Sequence, residues 1–170
     1  TSFDDGSTEA LVASNVYEDV IRSSLCNARW RFSTNQAELN RLTDAPTARY
    51  DFAYQLPADT LIVHALTVND NPIEYQTYGT MVYADTSSTD TVVADFTFRQ
   101  TEENFPSYFV LAVSYALAQI FSTSIARDAS LATMMATMAD QSMLKARSVD
   151  AQQQTTRKLI TSRFLANRRT

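Results

Sequence analysis

The spacing of apolar residues changes period twice along this chain, and that limits the folds open to it. Ala10, Ala13, Tyr17, Val20, Ile21 and Leu25 recur at helical spacing. From about residue 29 to residue 100 the pattern shortens to two, with β-branched and aromatic residues enriched at 61–68 and 91–98. Beyond Asn104 it lengthens again. Phe109, Val110, Val113, Leu117, Ile120 and Phe121 form one helical run, and Leu131, Met134, Met135, Met138 and Leu144 form another. A chain ordered helix, strands, helix, helix belongs to the α+β class. The simplest packing is a three-helix bundle with an antiparallel β-subdomain inserted between helix 1 and helix 2, followed by an extended C-terminal arm. This divides the chain into residues 1–28 and 101–151 for the bundle, 29–100 for the β-subdomain and 152–170 for the arm.

Local signals place the boundaries. Gly6-Ser7-Thr8 offers an N-cap, and Asp4, Asp5 and Glu9 suit the positive end of a helix dipole. The first helix is expected to end near Cys26-Asn27. Trp30-Arg31-Phe32-Ser33-Thr34 alternates with period two and reads as a strand. Asn69-Asp70-Asn71-Pro72 is a strong turn signal, and residues 85–90 make a second polar break. Tyr75, Tyr78 and Tyr83 fall on strands between these breaks. About five to seven short antiparallel strands are expected over 29–100. Only two glycines are present, so Asn, Asp and Ser must supply most turn positions. Pro106 suits the first turn of the second helix, where its missing N–H costs nothing. That helix is apolar in several directions and is expected to be largely buried. Arg127-Asp128 breaks it from a third helix over roughly 129–151. The short connection makes the two antiparallel. The methionines of the third helix read as core, with an adaptable binding surface as the alternative.

Charge is distributed unevenly. Residues 141–170 hold seven Lys or Arg and one acid, Asp150, whereas residues 1–140 hold seven basic groups and eighteen acids. The net charge is therefore +6 in the terminus and −11 in the body, giving −5 for the whole. An acidic body is unsuited to gripping nucleic acid, whose affinity comes largely from Lys and Arg on phosphates. The longest mainly apolar stretch, 108–121, falls short of the roughly 20 residues of a spanning helix, so no membrane span is expected. The acidic amino end is unlike a signal peptide, and a single cysteine, Cys26, suits a reducing compartment.

Catalytic and metal chemistry lack raw material. One histidine, His64, and one cysteine, on different elements, cannot supply the about four ligands of a structural zinc site. His64 reads as a strand residue with an ordinary hydrogen bond. It is also the only base a Ser or Cys nucleophile could use. Two glycines cannot build a phosphate loop. The acid pairs Asp4/Asp5 and Glu102/Glu103 sit at expected helix starts, where electrostatics of the helix end accounts for them. No cofactor is called for. The arm is the sharpest signal. Leu159, Ile160, Phe164 and Leu165 form two apolar couplets about one helical turn apart, flanked by Arg157, Lys158 and Arg163 and followed by Arg168 and Arg169. That pattern fits an anchor whose apolar side chains fill a groove while its cations meet acids. The alternative is a frayed end continuing the last helix.

Three stretches carry a family resemblance. Trp30-Arg31-Phe32-Ser33-Thr34, then Glu38-Leu39, then Tyr54-Gln55-Leu56-Pro57-Ala58-Asp59-Thr60-Leu61 resemble, in order and spacing, the head-to-tail adaptors of short-tailed bacteriophages, the tail tubular protein A-like group. Phe105-Pro106-Ser107-Tyr108-Phe109-Val110 and Ala116-Leu117-Ala118 are similar to the helix that follows the β-region there. The similarity spans roughly residues 9–150 and leaves the arm unmatched.

The resemblance implies a virion structural protein at the head–tail vertex. It would form a homo-oligomeric ring, commonly of twelve copies, between the portal protein and the tail nozzle or tail tube. Double-stranded DNA would pass through the ring without specific binding. The arm would be the portal-docking segment. Trp30, Phe32, Leu56, Pro57 and Asp59 would be structural, with the aromatics packing the β-subdomain on the helices, Pro57 stiffening the approach to the next strand and Asp59 capping a turn. Two other classes stay open: a small intracellular ligand- or protein-binding module, and an enzyme working through carboxylates.

Overall fold

The computed structural model describes residues 6–44, 46 and 49–153. Asp4, Asp5, all but the first two residues of the arm and every named docking residue from Arg157 to Arg169 lie outside them. The chain is α+β, and its described residues form three α-helices and two antiparallel sheets that follow the first helix and precede the second.

Helix α1 runs Thr8–Cys26 and starts as its cap requires: Ser7 is extended and its side chain accepts the Ala10 N–H at 3.1 Å. It ends at the expected place. Residues 30–34, expected as a strand, instead contain a 3₁₀ turn, Arg31–Ser33, and strand geometry begins only at Thr34. The Ser33 N–H bonds the Trp30 carbonyl at 3.2 Å, closing the turn that carries the chain from helix to sheet.

Among the described residues eight strands follow, more than the five to seven expected. In chain order they are β1 Thr34–Glu38, β2 Asn40–Arg41, β3 Phe52–Gln55, β4 Thr60–Val68, β5 Asn71–Ile73, β6 Gln76–Tyr78, β7 Met81–Ala84 and β8 Val92–Phe98. β2 and β5, not marked in the sequence, are two or three residues long, too short to show a period; Tyr78 lies on β6 and Tyr83 on β7 as expected, whereas Tyr75 falls between β5 and β6. One sheet has the order β1-β8-β4-β5 and the other β2-β3-β7-β6. Asn69 and Asp70 both have positive φ, 50° and 63°, which is the geometry of a two-residue hairpin between β4 and β5. Pro72 sits in β5 at a sheet edge, where a missing donor is tolerated. Asp59 also turns the chain with positive φ, 61°, and its carbonyl accepts the Arg99 N–H at 2.9 Å.

Helix α2, Ser107–Ser124, and helix α3, Ala129–Gln152, form an antiparallel pair. Asp128 caps α3 by accepting the Ser130 and Leu131 N–H groups, and these bonds hold its carboxyl below the usual range. Helix α2 is not largely buried. Only Phe109, Ala112, Val113 and Ser122 are sealed from solvent, while Val110 and Leu111 are exposed. On α3 only Ala146 and Asp150 are buried, and Met134, Met138 and Leu144, expected as core, face outward.

Buried apolar side chains fall into two clusters. Leu39, Tyr54, Leu56, Leu66, Val82 and Phe96 belong to one, drawn from both sheets. Ile21, Leu25, Trp30, Phe109 and Ala146 belong to the other, drawn from all three helices and the turn after α1, with Leu61 of β4 packed against it.

Candidate functional site

The turn after α1 delivers Trp30 and Phe32 to the helices. Trp30 is fully buried, its indole N–H donates to the Ser24 carbonyl at 2.9 Å, and its ring meets Phe109 edge-on at 5.2 Å. Phe32 lies 4.9 Å from Phe109, and Phe105 closes the group at 5.0 Å from Phe109. Edge-to-face rings of this kind add stabilisation beyond their area. Leu56 has a different place. It is buried inside the β cluster, with its N–H on the Thr80 carbonyl at 3.0 Å. Pro57 turns the chain into β4, its carbonyl accepting from the Thr60 hydroxyl at 2.8 Å. The quoted motifs therefore supply both clusters, one with aromatics and the other with Tyr54 and Leu56.

Two polar ties bind the regions. Arg99, at the end of β8, holds Glu18 of α1 at 2.9 Å and Glu102 at 2.6 Å, with its guanidinium 5.7 Å from the Phe105 ring. The bond from Arg99 keeps both carboxylates below their ordinary range. The other tie is Asp150. It is buried, and its carboxylate accepts the Arg31 N–H at 3.1 Å and the Tyr108 hydroxyl at 2.8 Å. Burial first, then Asp150, pushes the Tyr108 hydroxyl up to about 12. The carboxy end of α3 is thereby locked to the amino end of α2 and to the turn after α1.

Two surfaces of the described residues stand out. The first is helical. Met134 and Met138 lie one turn apart on α3, and Val110, Leu111, Leu144 and Val149 are exposed near the opposite end of the α2–α3 pair. A shallow groove of about 480 Å³ runs between the three helices, floored by small residues such as Ala112 and Ala116 and rimmed by Asp19 and Asp140. The second is a polar cleft of about 1020 Å³ where the turn after α1, β1 and the end of α3 meet. Arg29, Arg31 and Arg147 line it together with Asp95 and Asp150. Arg29 pairs with Asp95 at 3.1 Å, and Arg147 donates to the Asn27 carbonyl at 2.6 Å.

His64 bonds the Thr97 hydroxyl at 2.7 Å, and burial holds its pKa below the ordinary value. Among the described residues, no three of His, Cys, Asp and Glu come together as a metal would require, and no helix is long and apolar enough to cross a membrane. The sequence reading missed Arg99 and Asp150. For Asp150 a faint signal existed, since it is the only acid in the basic terminus. The Arg99 clamp had none. Compared with models of known families and with curated proteins, the chain matches none.

Proposed function

We propose that this chain is the head–tail adaptor of a short-tailed bacteriophage, a structural subunit that closes into a ring between portal and tail. The observation that carries the reading is the unfinished helical pair. Along α3 every position before Ala146 is partly or fully exposed, including Met134 and Met138. A helix left this open gains stability when a neighbour covers it. Side-by-side packing around a closed ring supplies such a neighbour through one heterologous contact repeated to closure. The order of the Trp30, Tyr54 and Phe105 motifs supports the same reading. The net charge of −11 over residues 1–140 suits a passage for DNA, because walls of like charge give phosphates little to hold. The cationic, apolar arm is the portal-docking element. No residue is assigned a catalytic role, and the described carboxylates with displaced titration, Glu18, Glu102 and Asp128, all move down, as ion pairing and capping dictate.

The test is direct imaging. Purified chain is added to portal-bearing capsids and the vertices are examined by electron microscopy. A symmetric ring under the portal is expected, and vertices that stay bare overturn the proposal. Removing residues 152–170 should leave a soluble fold that binds portal weakly; undiminished capture would strip the arm of its role. The polar cleft favours a second reading, a small binding module, which requires a monomer at high concentration with no affinity for portal.

A further inference from the structure

The cleft beside β1 combines three features that the adaptor reading does not use. The first is cationic charge only partly met by acid: Asp95 pairs with Arg29, and the Asp150 carboxylate is bonded to the Arg31 N–H and the Tyr108 hydroxyl. Among the described residues the Arg31 guanidinium has no ion-pair partner, and Arg147 bonds only a backbone carbonyl. The second is a buried donor. The Arg147 Nε is shut off from solvent with no hydrogen-bond partner among the described residues. A buried charged donor left this way is costly, and a shift of the Arg147 side chain that brings Nε to an oxygen acceptor in the cleft would relieve it. The third is a free sheet edge. Among the described residues β1 ends its sheet and pairs only with β8. Leu39 N–H bonds the Val92 carbonyl at 2.8 Å, so alternation along the ladder turns the backbone groups of Thr34, Gln36 and Glu38 away from β8. The Gln36 N–H is occupied locally by the Asn35 side chain at 2.8 Å, a bond that an incoming carbonyl can replace. Thr34, Asn35 and Gln36 line the same cleft as the arginines.

We propose that this cleft binds an extended acidic segment of a partner protein, its backbone adding to the β1 edge and its carboxylates meeting Arg31 and Arg147. Strand addition supplies affinity through main-chain bonds, and the guanidinium fork selects carboxylates bidentately. A polynucleotide fits less well. It has no peptide groups to pair with the β1 edge. Direction is set as well. Glu38 stands at the far end of β1, beyond the cleft, so acidic side chains belong at the Thr34 end. The proposal does not depend on the adaptor reading, since a ring subunit and a free binding module would present the same edge.

The experiment titrates a capped heptapeptide of alternating Glu and Val into the full chain. Fluorescence of Trp30, the only tryptophan, and the amide resonances of residues 34–36 report binding. Saturable binding is expected, with the same peptide carrying Gln for Glu at least about ten-fold weaker, as loss of charge-assisted bonds requires. Arg31→Gln changes an exposed side chain and should weaken the Glu peptide by about the same factor while the protein stays folded by circular dichroism. Arg147→Gln should do likewise. Equal affinity for the two peptides, no binding, or indifference to both substitutions overturns the proposal. So does a short DNA duplex that binds more tightly and displaces the peptide, which would mark a phosphate site.

Discussion

The β cluster and the helical cluster are closed to different degrees. In the β cluster, side chains from two sheets face each other: Val82 and Ala84 of one and Leu66, Val92 and Ala94 of the other are all within 1% of full burial. Alternation does this, since β7 and β8 each send every second residue inward. The helical cluster is sealed only at one end. Its buried members, Ile21, Leu25, Trp30, Phe109 and Ala146, gather where α1 ends, α2 begins and α3 ends. Away from that end the helices keep small residues along a groove and methionines on the outside. The β core is closed among the described residues, whereas the helices leave apolar side chains such as Met134, Met138 and Leu144 exposed. On the proposed adaptor reading, the ring contacts would fall on the helices.

Substitutions can break or sharpen that contrast. The largest effect is expected from Trp30→Ala, which empties the aromatic group and frees the Ser24 carbonyl, at a cost of about 3–5 kcal/mol in denaturant unfolding. Leu66→Ala in the β cluster should cost about 2–5 kcal/mol. If each region has its own core, hydrogen exchange in the Trp30 variant should quicken in α1 and α2 before β7 and β8; uniform loss of protection would make the two clusters one cooperative unit. Asp150→Ala comes next. It strands the Arg31 N–H and the Tyr108 hydroxyl and should cost about 1–3 kcal/mol. It should also release the Tyr108 hydroxyl toward its ordinary titration, readable in ultraviolet absorbance. Changing Met134 and Met138 together to Glu should alter monomer stability by no more than about 0.5 kcal/mol, as exposed positions do, yet prevent the chain from decorating portal-bearing capsids. Unimpaired decoration would remove this face from the assembly contacts.

The smallest effects are those of pH, and they run in both directions. His64 titrates below its ordinary 6.5 in the folded chain. Its contribution is full above that value and is lost as pH falls through the folded pKa. Glu18 and Glu102 behave alike below their ordinary 4.5, so acid first weakens the β8 neighbourhood and then the Arg99 clamp. Tyr108 runs the other way. With a folded value of about 12 against 10 unfolded, its contribution is full below pH 10 and fades as pH rises through 12. Unfolding midpoints across pH should show these windows, and His64→Gln should flatten the first.

Much of the fold was legible because its signals are local. Ser7 caps α1 and Asn69-Asp70 turns β4 into β5, each through groups within three residues; Arg127-Asp128 was legible as a break, and the structure adds that Asp128 caps α3. Strands β4 and β8 stood out because each is long enough to show its period, seven residues or more. What escaped was of two kinds. Strands β2 and β5 are too short for any pattern. The methionine side of α3 was misjudged because apolar spacing marks a face without saying whether this chain or another covers it.

The order of helix and strand, the positions of the caps and hairpins and the opposition of acidic body to basic terminus are written in the sequence, because each depends on residues that are neighbours along the chain. The junctions are not. Arg31 meets Asp150 across 119 residues, and Arg99 reaches Glu18 across 81. Only packing brings such groups within hydrogen-bond reach, and packing alone put three arginines beside the open edge of β1. Charge and hydrogen-bonding capacity belong to each residue, but the partner that satisfies them is chosen by distance, and distance is a property of the folded chain.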